Sequence, residues 1–358
     1  MLKRLFLGVL LASGAALLLS AAVHADPPAD PIHAAHGTPS AARLAYRFRP
    51  GESYHYTITG FFTGHIPPFS QPNSPPINLR AQLDYVATVQ KSDAKGAQVA
   101  FVVHAADIDL LEKDPGPSGK VDPNSVVPLS LPLSEVQKVF NVTAMLRPDG
   151  SVASVTSDSS SPLHINLGFD PRKLFLLIMP VVFPDRPLTV NDAWTFDDGV
   201  LGHNPGKTTY QGRLLAIQPA GRDLSFRIGQ NAQALVDTGI DKAGNPTDKP
   251  AETVGTLKGK VEVTGQLTFV APANGRTASD ASDLRAGRVS AGQMALNVLL
   301  KRTRTAPPDP NNPVDIDNGD IDVKARLSVQ ADTNSHHATT AASGAHKEPA
   351  ASPADSGK

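Results

Sequence analysis

The sequence has 358 residues, with 33 Lys and Arg against 34 Asp and Glu, 32 Pro and no Cys. The absence of cysteine excludes disulfides, thiol catalysis and lipid attachment at a mature amino-terminal Cys. The slightly negative charge balance argues against a nucleic-acid partner, because such a partner requires a basic face.

Residues 1–25 have the order of a Sec-type signal peptide: two basic residues, a long apolar run, then small residues. Val23 and Ala25 occupy the two small-residue positions before a cleavage point at Ala25/Asp26. The alternative is an uncleaved anchor, since the apolar run has about the length that crosses a bilayer. The order of features favours cleavage. It predicts a periplasmic or secreted protein that is not a lipoprotein and keeps no transmembrane anchor.

Two terminal segments of the mature chain have no apolar periodicity. Residues 26–42 are rich in Pro and Ala, and we interpret them as a flexible leader. Residues 331–358 consist mainly of Ala, Ser, Thr, Asp, Lys and His, with almost nothing to bury. Such a composition predicts a disordered tail.

Between these ends, apolar and polar residues alternate with a period of two. The clearest runs are 257–269 and 320–330, with weaker ones at 54–62, 83–90 and 99–105. Successive side chains of a strand point to opposite faces, so each run predicts a strand with one buried and one wet face. Half-wet strands are typical of antiparallel sheets, and the expected fold is therefore mainly β.

One segment interrupts the strand pattern. Asp170 is a helix N-cap residue, Pro171 follows at the first helical position, and Pro180 ends the apolar run. The predicted helix is too short to cross a bilayer and apolar on nearly all sides, so it should be buried. We expect this helix and linker, residues 166–189, to separate β-units at 43–165 and 190–330. Each unit would be a curved half-barrel or sandwich-like antiparallel sheet.

The two β-units share short sequence patterns in the same order. Gly51–Tyr56 matches Asn191–Phe196: a turn residue, an acid, a small residue and two aromatics two positions apart. The hairpin patterns at 89–103 and 217–228 also match, which favours an internal duplication. Such openings before alternating strands resemble those of uncharacterised secreted bacterial β-rich proteins. The overall plan is similar in architecture to half-barrel lipoprotein carriers, and neither resemblance implies an activity.

An acidic stretch precedes the last predicted strand. Asp315, Asp317, Asp320 and Asp322 surround Gly319, and calcium prefers several oxygen ligands from a Gly-bent loop. The stretch lacks the spacing and the bidentate Glu of an EF-hand loop. Two prolines just before it, Pro310 and Pro313, equally indicate a solvated strand connector. Calcium is the one cofactor that the sequence suggests; otherwise we expect none.

The function expected first is non-catalytic: an envelope protein that binds or carries an apolar ligand in a cavity between sheet and helix. The alternatives are a structural or protein-interaction β-protein of the envelope, which would pair through exposed strand edges, and thirdly an enzyme. An enzyme is disfavoured because no sequence constellation meets the requirements of a catalytic site. The partner is accordingly an apolar ligand or an envelope protein. The candidate ligand-binding residues are Leu174, Phe175, Leu177, Ile178, Met179 and Trp194.

Overall fold

The computed structural model describes residues 39–65, 75–116, 118–156, 181–196, 208–241, 246–247, 249–273, 284–305 and 319–332. Most of these residues form strands, so the prediction of a mainly β fold is confirmed. The strands are β1 (Ala41–Tyr46), β2 (Ser53–Gly64), β3 (Ile77–Asp93), β4 (Gly96–Leu111), β5 (Val126–Pro128), β6 (Val142–Leu146), β7 (Val152–Thr156), β8 (Leu188–Thr189), β9 (Ala193–Phe196), β10 (Thr208–Ala220), β11 (Asp223–Ile240), β12 (Pro246–Thr247), β13 (Gly255–Pro272), β14 (Leu284–Arg304) and β15 (Gly319–Ala331). The described helices are α1 (Leu133–Phe140) and two short 3-10 turns at Pro123–Ser125 and Pro250–Glu252.

The described strands belong to one hydrogen-bonded sheet whose main path consists of two meanders side by side. The first meander runs β2-β3-β4-β6-β7 and the second runs β9-β10-β11-β13-β14-β15, each in chain order. Antiparallel pairing of β15 with β2 joins them, from Val323 opposite Gly64 to Ala331 opposite Tyr56. Strands from both predicted β-units therefore lie in a single sheet, while their duplication stays a prediction.

The first strand departs from the antiparallel pattern. β1 pairs in parallel with the start of β14, from Arg43 opposite Leu284 to Tyr46 opposite Gly287. It also pairs antiparallel with β8, where Ala42 lies opposite Leu188. β1 begins inside the predicted leader, and β15 ends at the first residue of the predicted tail.

The sheet has one apolar face, here called the inner face, and one polar face, the outer face. In β15, Ile321 and Val323 are buried on the inner face, whereas Asp322 and Lys324 are exposed on the outer face. The same alternation continues in β11, where every second residue from Leu224 to Val236 is buried. The predicted half-wet strands are thus confirmed, and the core lies on the inner face.

An aromatic cluster fixes β1 against the inner face. The ring centroid of Tyr46 lies 5.3 Å from that of Phe183 and 5.4 Å from that of Phe269. The Tyr46 hydroxyl donates a hydrogen bond to the carbonyl oxygen of Val181 at 2.9 Å. A buried hydroxyl needs such a partner, so this bond holds the segment that leads into β8 in place.

The described α-helix, α1, packs against an irregularity in β4. The register shifts between Asp84 and Tyr85, which leaves the backbone of Val103 turned toward the helix. Gln137 donates from its side-chain amide to the Val103 carbonyl at 2.8 Å, and the Val103 N–H donates to the side chain of Asn141 at 2.9 Å. The helix therefore satisfies backbone groups that the bulge removes from the sheet ladder.

The sequence analysis predicted no helix at 133–140, and the helix that it predicted at 170–179 lies outside the described residues. Within α1 the buried positions are Val136 and Val139, a pair too short to show a helical period. Valine also favours strands, which concealed this helix. None of the helices that the structure describes combines the length and the apolar character required to span a membrane.

Two ion pairs lie on the outer face, one within β3 and β4 and one that holds the segment after β4. Asp109 of β4 is buried and lies opposite Arg80 of β3, whose Nε donates to its carboxylate at 2.7 Å. Further along, the Asp114 carboxylate accepts a hydrogen bond from the guanidinium of Arg326 in β15. The segment after β4 consequently reaches across β3 and β2 to the second meander.

Candidate functional site

Two adjacent cross-strand rows of the inner face, together named the inner strip, form the candidate site. They cross nine strands from β9 to β4, which is about 38 Å at the usual strand spacing. The first row is Trp194, Gly212, Gln230, Gly265, Met294, Leu327, Gly60, Ala81 and Ile108. The second row is Phe196, Tyr210, Ala232, Val263, Leu296, Ala325, Phe62, Leu79 and Leu110.

The inner strip is more accessible to solvent than the rows on either side. Its half-buried members are Gly265, Val263, Phe62, Ala81, Ile108 and Leu110. In the row beyond Val263, the side chains of Ala234, Val261 and Val298 are 0 % exposed. In the row beyond Gly265, Ile228 and Leu267 are at most 3 % exposed. Solvent therefore reaches the inner strip at β13 and along β2, β3 and β4, whereas its members on β9, β10, β11, β14 and β15 are buried.

The first row of the inner strip is rich in small residues. Gly212, Gly265, Gly60 and Ala81 occupy four of the nine positions in the first row. Neighbouring side chains fill the space over the glycines, because an added Cβ would come within 2.4 Å of Trp194 at Gly212, 2.6 Å of Phe62 at Gly60 and 2.7 Å of Met294 at Gly265. The row thus combines small residues with large ones that pack over them.

Trp194 closes one end of the inner strip. Its ring lies over Gly212 on the neighbouring strand, where a Cβ would come within 2.4 Å of the indole. The indole Nε1–H donates to the carbonyl oxygen of Val182 at 2.8 Å, and the ring packs against Phe183 at a centroid distance of 6.4 Å. Because its polar atom is satisfied, Trp194 presents an apolar ring to the strip.

Gln230 places a polar group in this apolar band. Its side chain is 7 % exposed, and its Nε2 donates to the thioether sulfur of Met294 at 2.9 Å across Gly265. Its Oε1 has no hydrogen-bond partner among the residues that the structure describes. An amide offers two donors and one acceptor, so a single thioether leaves much of this capacity unused.

None of the residues of the inner strip carries a charge. On β14 the inner-face arginines nearest to Met294 are Arg288, which packs over the Tyr54 ring, and the buried Arg302. They are six and eight residues from Met294, or about 20 Å and 27 Å along an extended strand. The electrostatic character of the strip is therefore that of a neutral apolar surface with one amide.

A second feature of the inner face is a small cavity beside the aromatic cluster. It has a volume of about 20 Å³ and is lined by Tyr46, Tyr54, Tyr56 and Arg288, among others. This volume matches a single water molecule and no organic ligand. Burial raises the pKa of the Tyr46 and Tyr56 hydroxyls above the usual range, so both remain protonated at neutral pH.

Of the ligand-binding residues predicted from the sequence, Trp194 is described, and it lies in the inner strip. The other five predicted ligand-binding residues, which all belong to the predicted helix at 170–179, lie outside the described residues. Gln230 was missed, because the predicted strand ended at residue 228. The available signal was a polar residue at an inner position of the series Leu224, Phe226, Ile228, Gln230, Ala232 and Ala234.

The predicted calcium residues are only partly described. Asp315 and Asp317 fall outside the described ranges, Asp320 lies in β15, and Asp322 is exposed on the outer face. Within the described ranges, no cluster of three or more acidic or histidine side chains could hold a metal ion. The calcium site therefore stays a prediction.

No protein-family model and no curated protein matches the chain. Among solved structures it is similar to one concerned with lipid–protein interactions in lipovitellin, at 10 % identity and a TM-score of 0.43. That match covers 80 % of this chain and 25 % of the other, so the chain spans about a quarter of the lipovitellin chain.

Two further structures are similar over most of their length. DynF, from the dynemicin biosynthesis pathway of Micromonospora chersina, matches at 9 % identity and a TM-score of 0.20, over 85 % of this chain and 92 % of its own. Salmonella typhi OmpF in complex with daunomycin matches at 5 % identity and a TM-score of 0.18, over 78 % and 97 %. All three TM-scores lie below 0.5, so the function proposed below rests on the geometry of the sheet.

Proposed function

We propose that this protein is a non-catalytic envelope protein that binds an apolar molecule along the inner strip. The observation that carries the proposal is the group of half-buried apolar residues that the inner strip presents on β13, β2, β3 and β4, between more deeply buried rows. Ligand sites are concave, mostly apolar and supplied with few polar groups, and the inner strip has this composition. Its length exceeds the hydrocarbon thickness of a bilayer, about 30 Å, so a long acyl chain fits within it.

Burial of apolar surface supplies the affinity. Each square ångström of apolar surface removed from water contributes about 25 cal/mol, on the ligand as well as on the protein. Half-buried Phe62, Ile108 and Leu110 would lose their remaining contact with water when the strip is filled. The glycines of the first row lie beneath Trp194, Phe62 and Met294, so the ligand would pack on these side chains.

The proposal includes a location in the cell envelope. Residues 1–25 have the features of a cleaved signal, and the sequence lacks the cysteine that a lipoprotein requires. A protein that works between membranes and carries an apolar molecule must shield it from water. A strip on the inner face of a sheet meets that need.

Trp194 provides the measurement, because it is the one tryptophan of the chain and lies at the end of the strip. The full chain, freed of bound lipid, is titrated with octadecene while tryptophan emission is followed. We expect a saturable change in emission together with a one-to-one complex in native mass spectrometry. A linear response without a complex would rule out the proposed function.

A matched pair of variants locates the binding surface. Ala232→Phe adds a ring to the inner strip, whereas Ala295→Phe adds the same ring at an exposed outer position of β14. We expect Ala232→Phe to weaken octadecene binding about tenfold or more, since a tenfold change corresponds to the burial of only one or two methylene groups. Ala295→Phe should bind like the original chain. Equal binding by both variants would place the ligand elsewhere.

A further inference from the structure

We propose that Gln230 is the polar anchor of the inner strip and that the ligand is an uncharged lipid bearing a hydroxyl group. This inference rests on the proposed function and deepens it, since it names the chemical class of the ligand. It follows from three properties of Gln230: its burial, its unused hydrogen-bonding capacity and its place along the strip.

Burial makes the unused capacity significant. A buried acceptor without a partner has lost its hydrogen bonds to water and gained none within the protein, which destabilises the folded state. The side chain of Gln230 is 93 % removed from solvent, and its Oε1 lacks a partner among the described residues. A leucine or methionine at this position would continue the apolar series of β11 without that cost. A glutamine here is therefore explained by a partner that arrives with the ligand.

The neighbouring residues direct the amide toward the strip. Gly212 and Gly265 flank Gln230 in the same row, and the Trp194 ring lies over Gly212 while Met294 lies over Gly265. A Cβ at Gly265 would lie 2.7 Å from Cγ of Met294, so glycine is required there for the amide to reach the thioether. Oε1 has essentially no surface open to solvent, so a ligand group reaches it only when the side chains over the strip move aside.

The charge of the strip selects a neutral group. A carboxylate or phosphate buried beside an uncharged amide would lose its hydration without a compensating cation. Arg288 and Arg302, about 20 Å and 27 Å from Met294 along β14, are too distant to reach a group bound at Gln230. A hydroxyl fits better, because it donates to Oε1 and accepts from the remaining N–H of the same amide.

The position of Gln230 also determines in which direction the acyl chain of the lipid extends. β11 is the third strand of the strip from the Trp194 end, and Ile108 lies on β4, six strand spacings further along. Those six spacings correspond to about 29 Å of apolar surface. A hydroxyl held at Gln230 therefore directs an acyl chain toward Phe62 and Ala81, where the strip is most accessible.

Three probes with the same chain length test the anchor: oleyl alcohol, oleate and octadecene. Each is titrated into the original chain, Gln230→Met and Gln230→Leu, with Trp194 emission and native mass spectrometry as the readouts. We expect oleyl alcohol to bind most tightly to the original chain. Both substitutions should lower the ratio of the oleyl alcohol affinity to the octadecene affinity about tenfold, the effect of one lost hydrogen bond.

The outcomes separate the two proposals. If none of the three probes binds, the proposed function fails. If octadecene binds but oleyl alcohol gains nothing and is insensitive to both substitutions, only the anchor fails. Tightest binding of oleate would overturn the neutral ligand. An equal loss for all three probes would show that Gln230 acts on the structure of the strip and not on the hydroxyl.

Discussion

Gly51 and Asn191 make the same turn at the start of the two meanders. Their φ angles are 82° and 75°, both in the left-handed region. The Gly51 N–H donates to the carbonyl of Val89 at 2.8 Å, and the Asn191 N–H donates to the carbonyl of Leu214 at 2.7 Å. In each case the acceptor lies on the second strand after the turn, which is β3 for Val89 and β10 for Leu214. The turn therefore fixes the register of the first strand pair in each meander.

The acid after each turn has the same surroundings. The N–H of Val89 donates to the carbonyl of Glu52, and the N–H of Leu214 donates to the carbonyl of Asp192, each at 2.9 Å. Each acid also pairs with an arginine a few residues earlier, Glu52 with Arg47 at 3.4 Å and Asp192 with Arg186 at 2.9 Å. These shared contacts support the predicted duplication at its clearest sequence match.

The turns supply a first prediction about stability. A β-branched residue in the left-handed region costs about 1–2 kcal/mol. We expect Asn191→Val to lower the free energy of unfolding by this amount, and Asn191→Gly to leave it nearly unchanged. Gly51→Val should cost a similar amount through the backbone alone, because no atom lies within 4 Å of an added Cβ. The free energy of unfolding of the original chain and the three variants is measured by urea denaturation. If valine at both turns left this free energy unchanged, the left-handed conformation of Gly51 and Asn191 would be contradicted.

A second prediction concerns Gln230 in the absence of ligand. Replacing a buried group that lacks a partner by an apolar group of similar shape removes a desolvation cost. We therefore expect Gln230→Met to raise the free energy of unfolding by about 1 kcal/mol. The control is Gln233→Met, the same change on the exposed outer face of β11, which should alter stability by less than about 0.5 kcal/mol. A loss of stability in Gln230→Met alone would mean that the amide is satisfied in the free protein.

The ion pair on the outer face gives a third prediction. Asp109 is buried and bonded to Arg80, whereas Asp107 is exposed on the same strand and face. Asp109→Ala leaves the Arg80 guanidinium without its partner, and we expect a loss of about 2 kcal/mol because Arg80 retains some access to water. Asp107→Ala should change the free energy of unfolding by less than about 0.5 kcal/mol. Equal effects at both positions would show that the pair contributes nothing.

A fourth prediction follows from the buried tyrosines. Burial raises the pKa of Tyr46, Tyr56 and Tyr85 in the folded state above the unfolded value of about 10. Their contribution to stability is complete below pH 10 and is lost as the pH rises beyond it, because the unfolded chain releases these protons first. We expect their tyrosinate absorbance to appear only together with unfolding. Titration of all five tyrosines near pH 10 in a folded chain would refute this.

For the same tyrosines, Tyr46→Phe serves as the control. It removes one group that titrates, so the decline in stability at alkaline pH should become less steep. It also removes the hydrogen bond to Val181, which should lower stability at neutral pH by about 1 kcal/mol. The two effects are measured by urea denaturation at pH values on either side of 10.

Much of the sheet could be predicted because its strands are long and wet on one face. The alternation at 257–269 and 320–330 is sustained, and both segments are strands with the predicted inner and outer residues. The order of the strands could not be predicted. The pairing of β15 with β2 joins residues about 270 positions apart, and no local pattern encodes such a partner.

The site was only partly visible for a related reason. Trp194 was predicted from its opening motif, whereas Gln230 and Gly265 acquire meaning only when their strands lie side by side. A glutamine in a strand usually indicates an outer position, and a glycine indicates a weak strand. Only the register shows that both lie on the inner face, in the same row as Trp194 and Met294.

The pairing of β15 with β2 has a consequence for how the protein is made. Gln230 and Trp194 belong to the meander that is synthesised second, while Phe62, Ala81 and Ile108 belong to the one that is synthesised first. A chain that ends before β15 has no continuous strip, because β15 bridges its two halves. If the strip binds a ligand as proposed, loading would wait until β15 docks against β2. A bound ligand would then distinguish chains in which β15 has docked from those in which it has not.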